Sequence, residues 1–184
     1  MSFEELDLAF HPKAIAIVGA SGNPLSLGFN FVQHLVNYGF EGPLYPVTPN
    51  WNEIAGLKTY PSLKDIPGPV DLLICCLAAA KVPDLLRQCP DKDVKVVHLF
   101  TGRLSETGQR EPAHLEAEIL RLARELGLRL IGPNCMGVYN PRKKIGFGYE
   151  FPMEPGNVGM GVRHILRSLL YLEIGLLRIH LSYI

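Results

Sequence analysis

Charge of one sign is the first thing this sequence lacks: Lys and Arg together number 18, Asp and Glu together number 18, and no Lys/Arg-rich run upsets that balance locally. No nucleic-acid or membrane partner is therefore expected from charge, and any anion site must be built locally. Paired cysteines are missing as well. Cys75, Cys76, Cys89 and Cys135 show no CxxC spacing, and the first two sit inside an apolar run. That pattern gives no metal ligands and fits a reduced, cytoplasmic compartment. The N-terminus, with Glu4, Glu5 and Asp7, has neither the basic nor the apolar segment of a signal peptide. Two nucleotide fingerprints are absent too. No GK[ST] follows the early glycines, which excludes an ordinary P-loop, and Gly19, Gly22 and Gly28 do not make GxGxxG.

What is present is a chain of 184 residues, 47% hydrophobic and 20% charged, long enough for one well-buried domain with an appendage but short for two. It is organised around residues Lys13 to Pro24. Ala14, Ile15, Ala16, Ile17 and Val18 run directly into Gly19, Ala20, Ser21, Gly22 and Asn23, and Phe29, Val32, Leu35 and Val36 follow at helical spacing as far as Gly39. This reads as strand, loop and helix. Glycines let a backbone approach an anion, and free N–H groups at a helix start favour negative charge, so a phosphorylated ligand is expected at this loop.

The rest of the chain repeats the alternation. Residues 1–12 form a short polar lead in which Phe3, Leu6, Leu8 and Phe10 can pack on the first strand. Leu44 to Val47 is a second strand whose Pro46 needs a place where a missing donor is tolerated. Glu53 to Tyr60 connects it to Ser62, a candidate cap for one helical turn. Val70–Leu77, Val94–Phe100 and Leu128–Ile131 are further strands, with helices expected over Ala78–Cys89 and from about Pro112 to Gly127. The economical architecture is α/β: a Rossmann-like open, mostly parallel sheet with helices on both faces. Five loops then converge on one rim, at residues 19–28, 47–50, 77–80, 101–110 and 132–137.

The end of the second strand bears on which ligand. NAD-binding folds place an Asp or Glu there for the ribose hydroxyls, whereas Val47, Thr48, Pro49 and Asn50 offer no carboxylate before Glu53. His98 reads as a satisfied strand histidine and Cys75 and Cys76 as small buried hydrophobes. Cys135 fits a packed turn better than a ligand-facing thiol. Lys13 stands as either a phosphate contact or a solvated charge.

The phrases Pro12 to Ser21, Tyr45 to Asn50, Tyr60 to Leu63, Val70 to Leu72 and Gly132 to Gly137, in that order and spacing, resemble the CoA-binding domain of NDP-forming acyl-CoA synthetases, related to the succinyl-CoA synthetase alpha subunit. The resemblance covers roughly residues 10–140. It implies that Gly19, Ala20, Ser21, Gly22 and Asn23 hold the phosphates of coenzyme A and that Val47, Thr48 and Pro49 lie by its adenosine part. It also implies that Glu106 is an acidic loop residue near the reacting centre, the candidate for catalytic support. CoA or acyl-CoA would be the ligand, and further ligase domains or an ATP-grasp subunit would complete the reaction. A freestanding Rossmann-type regulatory module that senses NAD(H) or CoA is the alternative.

The expected domain plan is a CoA-binding unit over 1–140, a linker or the start of a second domain over 141–159, and an atypical apolar tail over 160–184. Leu or Ile fills eleven of the last twenty positions, yet Arg167, Glu173, Arg178 and His180 interrupt them, too many charges for a membrane span. The tail is either an amphipathic helix seeking a partner surface or not an evolved part of the fold.

Overall fold

The structure is a computed structural model and describes residues 3–147, 152–156, 158–159 and 181–182. Its centre is β1 (Ile15–Val18), with all four residues buried. Ala16 and Val18 face one apolar cluster, while Ile15 and Ile17 face the other. Both faces of the strand are therefore covered, which is why its sequence is an unbroken apolar run. Full burial of a side chain such as Ile17 stabilises by about 1.5–3 kcal/mol.

In chain order the other elements are α1 (Phe3–Phe10), α2 (Leu27–Tyr38), β2 (Leu44–Val47), β3 (Glu53–Ile54), β4 (Leu57–Lys58), β5 (Leu72–Cys75), α3 (Val82–Gln88), β6 (Val96–Leu99), α4 (Arg110–Glu125) and β7 (Arg129–Ile131). The main sheet runs β2-β1-β5-β6-β7 and every pairing in it is parallel. Phe31, Val32 and Leu35 of α2 cover one face, against Ile74 and Val96. Leu85 and Leu86 of α3 and Ile119 and Leu122 of α4 cover the other, against Leu73, Val97 and Leu99. The expected α/β architecture with helices on both faces is the one observed.

Several expectations meet differences with local causes. The lead segment is helical rather than merely polar: α1 runs to Phe10, Ala9 is fully buried, and Asp7 accepts from His11 one turn on, at 2.6 Å. The helix expected over Ala78–Cys89 is broken into a 3-10 turn (Ala79–Lys81), α3, and a second 3-10 turn (Cys89–Lys92). Pro83 is tolerated in a first helical turn, whereas Pro90 lacks the donor that would continue the helix. The connection after β2 contains a hairpin, β3 against β4, turned by Ala55 and Gly56 at φ 50° and 78°. Alanine is an unusual residue for that left-handed position, so the turn carried little signal.

Ser62 does start a turn. Its N–H and its hydroxyl both donate to Asp65 Oδ2, at 3.0 and 2.8 Å, over the 3-10 segment Leu63–Asp65. Pro46 sits at the sheet edge, where its carbonyl accepts from Tyr60 N–H at 2.9 Å on the outer side of β2. The tail expected from residue 160 lies outside the described residues, apart from Leu181–Ser182, which pairs in parallel with Val158–Gly159.

Candidate functional site

The order β2-β1-β5 makes a topological switch: the chain leaves β1 for α2 on one face and leaves β5 for α3 on the other. A crevice at the carboxyl ends of β1 and β5 follows from that divergence. Gly19 crosses it. Its φ is 86°, in the region where a side chain is strained, and a Cβ there would lie 3.0 Å from the Cys76 carbonyl carbon and 3.1 Å from Leu77 Cδ2. Gly28, in the first turn of α2, is equally constrained, since its Cβ would stand 2.2 Å from the Gly19 carbonyl oxygen. The helix start is thus pressed onto the strand end, and only glycine allows the approach.

Between these glycines the loop organises itself. Ser21 Oγ accepts from Asn23 N–H at 3.1 Å, Asn23 Oδ1 accepts from Leu25 N–H at 3.0 Å, and the Ser26 hydroxyl donates to the Asn23 carbonyl at 2.8 Å. Ser26 caps α2 by accepting from Phe29 N–H at 3.1 Å. The N–H groups of Gly19 and Ala20 are taken by the Val47 carbonyl, at 3.1 and 3.3 Å. Those of Ser21, Gly22, Leu27 and Gly28 have no hydrogen-bond partner among the described residues. Neither residues 19–26 nor residues 47–50 contain a lysine or arginine. Anion affinity here would come from backbone donors and the α2 dipole.

Val47 and Thr48 are buried and Pro49 is exposed beside this loop. Thr48 N–H donates to the Tyr60 carbonyl at 2.8 Å, so the hairpin returns Tyr60 alongside Val47 and props the strand end. Lys13 is not on this rim. It begins β1 at the opposite edge, where Asp71 Oδ2 accepts from the Lys13 and Ala14 N–H groups at 2.6 and 3.1 Å.

Trp51 joins this loop from outside the stretches that the sequence analysis singled out. Its indole covers Gly22: a Cβ on Gly22 would be 2.5, 2.6 and 2.7 Å from Cε3, Cδ2 and Cζ3. Near-equal distances to three adjacent ring atoms place that point above the ring face rather than at its edge. Gly22 is not among the left-handed glycines, so its requirement is space for the indole and not backbone freedom. A long-range contact of this kind has no local signal, beyond an aromatic residue in an otherwise polar loop.

The far side of the rim is built differently. The Thr101 hydroxyl donates to the Leu77 carbonyl at 2.9 Å, and the Thr101 carbonyl accepts from Asn134 N–H at 2.9 Å. Glu106 is exposed, and its two carboxylate oxygens accept from Arg103 and Leu104 N–H at 2.6 and 2.8 Å, while Glu116 accepts from Ser105 N–H at 2.9 Å. His98 is buried and its Nε2 meets the Cys135 carbonyl at 2.7 Å. A carbonyl only accepts, so the proton is on Nε2. Burial pushes the imidazole down to about 4, against a smaller upward pull from that carbonyl, and it is neutral at physiological pH.

Gly137 packs on the His98 ring, and its N–H meets Cys135 Sγ at 3.4 Å, so Cys135 lies in a packed turn. Burial raises the Cys75, Cys76 and Cys89 thiols, Cys89 to about 12, which leaves them protonated and unreactive. Among the described residues no group of three or more His, Cys, Asp and Glu converges on a cation-sized site, and no helix is long and apolar enough to cross a membrane.

A family model described as a CoA binding domain matches residues 13–141. An ADP-forming acetate–CoA ligase II of Archaeoglobus fulgidus is 39% identical over 155 residues, 82% of this chain and 23% of that protein. The alpha subunit of the corresponding Pyrococcus furiosus ligase is 38% identical over 83% of this chain and 33% of the subunit. Among solved structures, acetyl-coenzyme A synthetase 1 of Candidatus Korarchaeum cryptofilum, in complex with phosphate and ADP, superposes with a TM-score of 0.87 at 30% identity. That match covers 96% of this chain and 38% of the other. The chain therefore spans about a quarter to a third of the length of these two curated relatives.

Proposed function

This chain belongs to the CoA-binding domain family, and from that membership we propose that it is the coenzyme A-holding part of an ADP-forming acyl-CoA ligase. Gly19, Ala20, Ser21, Gly22 and Asn23 form the phosphate-binding turn in this reading, and Val47, Thr48 and Pro49 border the adenosine. The observation that carries it is the set of partnerless N–H groups at Ser21, Gly22, Leu27 and Gly28, gathered where Gly28 presses α2 onto Gly19 at the switch point. On the far side of the rim Arg103, Leu104, Ser105 and Asn134 give their N–H groups to carboxylates or a carbonyl of the same loops, while Thr101, Gly102, Cys135 and Met136 keep theirs without a partner among the described residues but are not drawn together by a helix start.

Glu106 enters the proposal through the loop it shapes. With both oxygens held by backbone N–H groups, it fixes residues 101–107 as a wall beside the acyl end of CoA. Residues 1–140 are the CoA-binding unit and 141–159 lead toward a further ligase domain, although Ile145 and Phe147 still pack on the α2 face. Phosphoryl and acyl transfer belong to the additional domains or an ATP-grasp subunit.

Titration calorimetry with CoA and NADH at matched concentrations tests the assignment. CoA binding with weaker or no NADH binding is expected, because no carboxylate stands at the end of β2 to hold ribose hydroxyls. NADH binding without CoA binding would overturn it in favour of a nicotinamide-sensing module.

A further inference from the structure

We infer that Trp51 is the base platform of the site: its outer indole face stacks on the purine of the bound nucleotide, and it thereby selects adenine-containing ligands. This rests on the CoA-binding reading and adds a residue and a specificity to it. One indole face lies over Gly22, and the residue is nevertheless 45% exposed. A flat aromatic surface that is fixed on one face and still half open to solvent, directly above the turn with partnerless N–H groups, is placed to stack on a planar group of whatever anion that turn holds. Leu25 and Leu27, exposed at 92% and 53%, add apolar surface to the same end of the rim.

The platform is held from behind. The buried Thr59 donates its hydroxyl to the Trp51 carbonyl, and its N–H donates to the Asn52 carbonyl at 3.1 Å. The β3–β4 hairpin delivers Thr59 to that place. Because backbone and inner face are both fixed before ligand arrives, little order has to be imposed on binding. A phosphate on the Ser21 and Gly22 N–H groups would leave the base of the same nucleotide within reach of the indole. Stacking on a fixed aromatic is worth enough to discriminate a ligand with a base from one without.

Trp51 is the one tryptophan in the sequence, so its fluorescence reports the platform directly. In the full chain, CoA and 3′,5′-adenosine bisphosphate should quench it, and 4′-phosphopantetheine should not. Trp51→Ala should weaken CoA and the bisphosphate by about tenfold and leave 4′-phosphopantetheine unchanged, whereas Trp51→Phe should restore most of the affinity. CoA binding equal in parent and Trp51→Ala would overturn the inference, as would an equal loss for all three ligands, which would make the indole only a prop for Gly22. Failure of the parent chain to bind CoA at all would instead overturn the reading beneath it. Circular dichroism of both variants separates these results from misfolding.

Discussion

The loop after β1 and the stretch Arg103–Ser105 after β6 treat their backbone donors differently. At the β1 end, Ser21, Gly22, Leu27 and Gly28 keep N–H groups without partners among the described residues, and Leu25, Leu27 and Trp51 are exposed. At the β6–β7 end, Arg103, Leu104 and Ser105 give their N–H groups to Glu106 and Glu116, Asn134 gives its own to Thr101, and His98 is spent on Cys135. Unpaired donors in a constrained backbone are a capacity to bind, whereas satisfied ones are a fixed surface. On the proposed reading the first is a receptor and the carboxylate-bound stretch 103–105 is a wall, although both are loops at the ends of parallel strands.

Glycine substitutions on each side should break this comparison most severely. Gly28→Ala puts a Cβ 2.2 Å from the Gly19 carbonyl oxygen, and Gly132→Ala puts one 2.5 Å from the Leu99 carbonyl oxygen at φ 113°. Each should destabilise by about 3 kcal/mol, since backbone must move in both. Chemical denaturation measures that loss. The two should part in CoA titrations of the remaining folded protein: Gly28→Ala loses binding and Gly132→Ala keeps it. Equal loss of affinity would erase the distinction between receptor and wall.

A smaller and graded effect should come from acid. Burial holds the His98 pKa at about 4 in the fold, against its ordinary value of 6.5 in the unfolded chain. Between those values the unfolded chain takes up a proton that the native state refuses. The stabilisation is therefore complete above about pH 6.5 and is lost as pH falls toward about 4, by at most about 3 kcal/mol. His34, also lowered by burial, acts in the same direction. His98→Gln can still donate to the Cys135 carbonyl but cannot titrate, so thermal unfolding of that variant should show a flatter slope between pH 6.5 and 4. An unchanged slope would place the acid sensitivity away from the wall.

The receptor half was legible in sequence because its signals are local. The apolar run of β1, the Gly19 turn and the stop of α2 at Gly39 (φ 72°) each depend on residues a few positions apart. Leu44–Val47 was readable for the same reason. Gly22 was readable as a member of the loop, but the left-handed glycine is Gly19, and the indole that fills the space above Gly22 lies twenty-nine positions away. Glu106 was readable as a polar loop carboxylate, but its binding of Arg103 and Leu104 N–H depends on Arg103 adopting φ 63°. Such a conformation is uncommon for a residue with a side chain and leaves no pattern in composition.

Amide chemical shifts followed through a CoA titration of the whole chain test the receptor-and-wall account most directly. The account predicts that the largest changes fall on Ser21, Gly22, Leu27 and Gly28, whose N–H groups are without partners, while the amides of Arg103, Leu104 and Ser105, already donated to Glu106 and Glu116, stay nearly still. Large changes at residues 103–105 with none at 21–28 would contradict it, and would move the phosphate site to the other side of the rim.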